Sequence, residues 1–211
     1  DSGAPVDIDL RQLTVLIVLG VTLGVRLVAH PFAGGLTRDQ SDGVEREGGW
    51  AVATGLRVVF ALGGFGGILI WFVAPALLPG NLSVPAWLHW PAMLLACGGL
   101  ILLVAVQIAL GVHFSGTLHL RDDHQLVRSG PYARVRHPMY TSFLMLFVGL
   151  SVLIGNLFIA AVLLGSQVWV LAWRLPEEEA QLAERFGGQW AEYRAATGAL
   201  LPKLAGHARE S

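Results

Sequence analysis

The chain has 211 residues, of which 54% are hydrophobic and only 14% charged, and its mean hydropathy is +0.60. An ordinary soluble domain is about 25% charged, so this composition excludes a disordered chain and leaves too few charges to cover a water-exposed globule. The formal net charge of −1 excludes a general electrostatic attraction to nucleic acid, and the single cysteine, Cys97, excludes an intramolecular disulfide or a cysteine zinc cluster. The composition is that of an integral membrane protein.

A helix that crosses the hydrocarbon needs about 20 apolar residues. Residues 12–29 form the first such run. It has neither a short charged leader nor a small-residue cleavage site, so it reads as a span rather than a removable signal. Residues 51–78 and 86–110 form the second and third runs. The apolar stretch 138–174 is too long for one span, and Gly155-Asn156 near its middle is a turn pair that closes a tight hairpin of 138–154 and 157–174. The expected fold is an all-α membrane protein with about five transmembrane helices, the last two a tight helical hairpin, and a C-terminal interfacial amphipathic helix. Residues 1–110 would hold three N-terminal helices. Residues 111–211 would hold a loop, the hairpin and the amphipathic helix, the whole being one integrated membrane domain.

Gly20 with Gly24, and Gly63 with Gly67, have small-xxx-small spacing, read as helix packing within the chain ahead of a homodimer face. Gln107 and His89, near span ends, read as structural hydrogen-bonding groups. The shortage of ionisable residues at mid-membrane depth argues against a transporter.

The basic residues give an orientation. Arg38 and Arg46 lie between spans one and two, and Arg121, Arg128, Arg134 and Arg136 between spans three and four. Arg174, Arg185, Arg194, Lys203 and Arg209 follow the last span. An odd number of spans puts all three groups on one face and leaves Arg11 and the neutral 79–85 stretch on the other. The positive-inside bias makes the charged face cytoplasmic and the N-terminus external. Arg26 and Arg57 sit close enough to the cytoplasmic ends of their runs to snorkel.

Chemistry is therefore expected on the cytoplasmic face. Residues 111–137 carry His113, His119, His124 and His137, but their spacings are not those of a helical pair that holds zinc, and no metal is expected. The pair Asp122-Asp123 reads as a solvated loop. Pro138 suits the first turn of span four, and Tyr140 follows at the aqueous interface. After span five, Arg174-Leu175-Pro176-Glu177-Glu178-Glu179 places a cation at the span's end and carboxylates in the first turn of a new helix. Leu182, Phe186, Trp190 and Tyr193 then recur at helical spacing.

The ordered set His124 to Tyr132, Arg136-His137-Pro138-Met139-Tyr140, Arg174, Glu177-Glu178-Glu179, Phe186-Gly187 and Tyr193 resembles the isoprenylcysteine carboxyl methyltransferase family, integral membrane enzymes distantly like the phospholipid N-methyltransferases. The resemblance spans about residues 111–202 and implies an S-adenosylmethionine cofactor held at the cytoplasmic face. It implies that His124, Gln125, Leu126 and Val127 line the cofactor, that Tyr132, His137, Pro138, Met139 and Tyr140 complete the pocket, and that Glu178 is a cofactor-binding carboxylate. Arg174 would contact the methyl acceptor as the catalytic arginine. The family's upstream cofactor-binding glutamine has no counterpart, since Thr117, His119 or Arg121 stands near that place. The implied partners are the lipid bilayer and a lipophilic or small-molecule acceptor. A prenylcysteine-like carboxylate or a thiol is favoured, because an amine would first need a base to remove a proton. A nicotinamide-dependent membrane sterol reductase and a non-catalytic binding or assembly module are the alternatives.

Overall fold

The computed structural model describes residues 9–33, 47–110 and 126–203. These residues form five α-helices: α1 (Leu10–Ala33), α2 (Glu47–Val73), α3 (Ala86–Leu110), α4 (Pro138–Ile154) and α5 (Leu157–Ala196). Short 3-10 turns lie at Pro75–Leu77 and Gly130–Ala133. Arg38, Arg46, Thr117, Arg121, Asp122, Asp123, Gln125, Arg209 and the histidines His113, His119 and His124 fall outside the described residues.

Among the described residues, α3 and α5 are long and apolar enough to cross a membrane. The 17 residues of α4 reach about 26 Å at 1.5 Å per residue, close to the hydrocarbon thickness. The faces of α3 are inverted relative to a water-soluble helix. Leu94, Ile101 and Ile108, seven residues apart, are 72%, 70% and 73% exposed, whereas Ala92, Ala96, Gly99, Leu103 and Val106 are buried. Large apolar groups outward, with small residues at three of the five buried positions, suit a hydrocarbon solvent.

Small residues let α3 and α4 meet backbone to backbone. A Cβ added at Gly99 would lie 2.8 Å from Ser142 O and 2.9 Å from Leu146 N. One added at Gly149 would lie 2.7 Å from Ala92 O and 2.8 Å from Ala96 N. On α2, Gly63 and Gly67 face Val162 and Ile159 of α5, with an added Cβ at 3.4 and 3.2 Å. Packing within the chain therefore accounts for that pair, whereas Gly20 and Gly24 of α1 meet nothing within 4 Å among the described residues. His89 also departs from expectation, for its Nε2 is buried with no partner among the described residues.

The hairpin turn falls where the sequence places it. Gly155 ends α4 in the left-handed region (φ 63°), and Asn156 caps α5 by accepting from Ile159 N at 3.1 Å. The other end of the Asn156 amide donates to Asn81 Oδ1 at 2.7 Å and Pro79 O at 3.1 Å. Two backbone bonds, Leu82 N to Gly155 O (2.7 Å) and Leu157 N to Gly80 O (2.8 Å), stitch the α2–α3 connector to this turn.

One expected boundary moves. No helix starts at Pro176, because α5 runs through it, and the amphipathic segment is the continuation of the last span rather than a separate helix. An interior proline removes one helical hydrogen bond. Here Arg174 Nε donates to Glu178 Oε1 at 2.8 Å, clamping the two turns across it. The break comes instead at Gly187, whose φ of 49° and ψ of −118° no helix accepts.

The α3–α4 contact is directly testable. Gly149→Ala forces a methyl group into the α3 backbone and is expected to destabilise the protein by about 1–3 kcal/mol, the range for overpacking. Gly20→Ala, in open space, should leave stability unchanged or slightly raised. Thermal unfolding of both variants in detergent makes the comparison, and equal midpoints would contradict the packing described.

Candidate functional site

The site forms where the start of α4 meets the polar half of α5. His137 precedes α4, Pro138 takes the first helical position, and the chain after α5 folds back beside them. The backbone N–H groups of Arg136 and His137 donate to Gly198 O (2.8 Å) and Ala199 O (3.0 Å). Thr141 Oγ1 donates to Leu200 O at 2.7 Å, and Tyr193 Oη donates to Tyr132 O at 2.7 Å. The Gly187 break turns the last part of α5 and so permits these contacts.

Two adjacent carboxylates serve different partners. Glu178 Oε1 accepts from Tyr140 Oη and from Arg174 Nε, both at 2.8 Å. Its Oε2 lies 3.9 Å from His137 Nδ1 and takes no hydrogen bond among the described residues. Glu179 Oε1 accepts from Arg136 Nε at 3.1 Å and lies 3.3 Å from His137 Nε2, while Oε2 is 3.7 Å from Arg194 Nη2. Arg136 has further partners. It also donates to the carbonyls of Arg194 (3.1 Å) and Thr197, and its guanidinium stands 5.9 Å from the Trp190 ring centre. Glu179 is the more enclosed carboxylate, 18% exposed against 33% for Glu178.

Burial sets the ionisation of the surrounding groups. The imidazole of His137 is held below its ordinary value because burial disfavours the cation, an effect that the two carboxylates only partly oppose. Burial also pushes the phenols of Tyr132 and Tyr193 up, so neither supplies a base near neutral pH. The His137 and Tyr140 rings stack with centroids 5.8 Å apart and planes 23° apart.

Of the residues singled out from sequence, Tyr132, His137, Tyr140, Arg174 and Glu178 come together. Pro138 is buried, and Met139 packs on the hydrophobic core between α3 and α4. Leu126 and Val127 are half-buried in the segment before the 3-10 turn. Sequence reasoning gave no role to Glu179, Arg136 or the 197–200 return. Glu179 and Arg136 sat in the quoted motifs as neighbours of Glu178 and His137, which was the only available signal. Thr197 to Leu200 act through backbone carbonyls and leave no signature in side-chain type. Among the described residues, no three His, Cys, Asp or Glu side chains gather closely enough to hold a metal ion.

This arrangement lies largely inside the part of the chain that matches known proteins. Residues 92–184 match the isoprenylcysteine carboxyl methyltransferase (ICMT) family. Protein-S-isoprenylcysteine O-methyltransferase of Schizosaccharomyces pombe is 35% identical over 101 residues, 46% of this chain and 42% of that protein. Protein-S-isoprenylcysteine O-methyltransferase B of Arabidopsis thaliana is 38% identical over 98 residues, 45% of this chain and 49% of that protein. The chain thus spans about half the length of these curated relatives. The solved structure of the eukaryotic intramembrane Ras methyltransferase ICMT superposes with a TM-score of 0.56, covering 93% of this chain and 69% of that one at 21% identity. At that identity the likeness is one of fold. It reaches beyond the matched segment to include the N-terminal helices.

The depressed basicity of His137 gives a pH signature. The unfolded chain takes up a proton near the ordinary histidine value of about 6.5, whereas the folded chain resists it. The unfolded state therefore binds more protons as pH falls below that point, and stability is lost in that direction. His137→Gln should flatten the decline of the unfolding midpoint between about pH 7.5 and 5.5. Parallel pH profiles for wild type and variant would contradict the burial argument.

Proposed function

We propose that this chain is an S-adenosylmethionine-dependent methyltransferase of the membrane interior, acting on an amphipathic acceptor with an anionic head such as a prenylcysteine-like carboxylate or a thiol. The observation that carries the reading is the cluster of His137, Tyr140, Glu178 and Arg174 at the end of an apolar hairpin, inside the segment that matches the methyltransferase family.

The donor set suits the cofactor. Glu178 keeps one carboxylate oxygen without a hydrogen bond among the described residues, in a partly exposed position beside aromatic rings. A carboxylate binds an ammonium group or sugar hydroxyls, and rings favour an adenine and a sulfonium. When bound, the cofactor supplies an electrophilic methyl group. The residues of the chain then have three tasks: to hold it through Glu178, Tyr140 and His137, to hold the acceptor in line, and to keep water away. An anionic acceptor attacks without a general base, which agrees with a site whose phenols stay protonated.

Arg174 is the proposed acceptor anchor. Its side chain is half exposed and follows Trp173, 73% exposed, at the place where α5 passes from apolar to charged sequence. Tryptophan favours the membrane–water boundary. An amphipathic acceptor would enter from the lipid with its head at Arg174 and its tail along the apolar helices. The positive-inside bias of the basic residues around the site supports a cytoplasmic location for it and an external N-terminus.

Calorimetric titration of the detergent-purified protein tests the cofactor. S-adenosylmethionine should bind and NADPH should not, and Glu178→Ala should weaken binding by about 1–3 kcal/mol, the range for losing a charged hydrogen bond. Arg174→Ala should reduce turnover while nearly sparing cofactor affinity, and Arg174→Lys should restore it only in part. Across acceptors with one head group, each added methylene should improve affinity about fourfold, from about 0.8 kcal/mol per buried group. Indifference to chain length would rule out entry from the lipid.

Topology has its own measurement. With Cys97 replaced, a cysteine at Asn81 should react with an impermeant reagent on intact cells, and one at Arg128 only after lysis. The opposite pattern would overturn the orientation.

A further inference from the structure

Glu179 and Glu178 are neighbours in sequence, yet they meet opposite sides of the same imidazole. Glu179 is tied to Arg136, His137 and Arg194, and it reaches His137 on the ring nitrogen opposite the one that faces Glu178. That opposition has a chemical consequence. A carboxylate between two guanidinium groups accepts hydrogen bonds and does not donate them. The ring nitrogen 3.3 Å from Glu179 Oε1 must therefore carry the proton, which puts the neutral imidazole in its Nε2–H form and leaves the lone pair on Nδ1. Nδ1 in turn faces Glu178 Oε2 across 3.9 Å, too far for a hydrogen bond and with an acceptor on each side.

Resting on the methyltransferase reading, we propose that Glu179 is a positioning residue: by holding His137 in the Nε2–H tautomer, it pairs Nδ1 with Glu178 Oε2 as two acceptors for the ammonium group of the methyl donor. An ammonium carries three protons on one atom and satisfies both acceptors at once, and its charge adds to the attraction of the carboxylate. The arrangement also divides the labour between the two carboxylates. Glu178 contacts the ligand, and Glu179 acts only through the imidazole. Tyr140 stacks on the ring from the next turn and limits its rotation, so that the tautomer becomes a direction in space.

The test reads the tautomer first, in the ligand-free protein. Histidine labelled with nitrogen-15, observed by long-range proton–nitrogen correlation at pH 7.5, should show His137 protonated on Nε2. Glu179→Leu keeps the volume but removes the acceptor, so the proton should move to Nδ1, where Glu178 waits. Glu179→Gln, whose amide oxygen still accepts, should keep the wild-type form. Arg136→Gln separates positioning from anchoring, and should lower the unfolding midpoint without altering the tautomer.

Calorimetry then compares S-adenosylhomocysteine with methylthioadenosine, which keeps the nucleoside and lacks the amino acid moiety. Glu179→Leu should weaken the first about tenfold and leave the second unchanged, with partial rescue in Glu179→Gln. A wild-type His137 protonated on Nδ1 or on both nitrogens would overturn the positioning role. Equal weakening of the two ligands would overturn the ammonium assignment. If wild type bound neither ligand, the methyltransferase reading would fail and the ligand half of the proposal with it. The tautomer result would still decide the role of Glu179 toward His137.

Discussion

Direct backbone contact between α3 and α4 is the constraint on which the rest of the structure rests. Within hydrocarbon no hydrophobic force draws helices together, so association depends on close packing and on the few polar contacts available. Gly99 opens α3 to Ser142 and Leu146, and Gly149 opens α4 to Ala92 and Ala96, so the two helices interlock at two levels. Once α4 is held in this way, its first turn and His137 have a defined place. The hairpin turn then fixes α5 beside it, because Gly155 closes α4, Asn156 caps α5 and both are bonded to the α2–α3 connector.

The site is built from that placement outward. An arm of charged sequence continues α5 beyond the apolar span and brings Glu178 and Glu179 to the mouth of α4. Buried cations and carboxylates are unfavourable unless matched, and here the matching is close to complete. Arg136 spends its donors on Glu179 and two carbonyls, and Arg194 stands near the other oxygen of Glu179. Glu179 meets Arg136 and the Nε2 side of His137 and is the more enclosed, whereas Glu178 meets Tyr140 and Arg174 and is the more exposed. That asymmetry separates the groups that hold the site from the groups that meet a ligand.

Arg174 has two roles that follow from one position. Its bond to Glu178 bridges the turns on either side of Pro176 and gives that weakened stretch of α5 a small local support. The same bond joins the proposed acceptor anchor to the proposed cofactor carboxylate, so the two binding events meet on the two oxygens of one side chain. The exposed Trp173 stands beside it, where α5 passes from apolar to charged sequence.

How much of this was legible in the sequence depends on the range of each interaction. Helices α3 and α4, the hairpin turn and the excess of apolar surface were readable because hydrocarbon thickness, span length and Gly-Asn turn chemistry are local properties of residue type. The fate of Pro176 was not, since a proline followed by glutamates reads as a helix start whether or not the preceding helix runs on through it. The same holds for Gly20 and Gly63, which have equal spacing partners in sequence and opposite surroundings in space. Gathering His137, Tyr140, Arg174 and Glu178 was anticipated from an ordered motif. The division between Glu178 and Glu179 was not, because adjacent residues on a helix point about 100° apart and only the neighbouring elements determine what each one meets. The sequence by itself determined the solvent, the helices and the residue types of the site. Tertiary structure decided which glycine packs and which carboxylate meets Arg136 rather than Tyr140, because each of those depends on partners distant in sequence that no local pattern records.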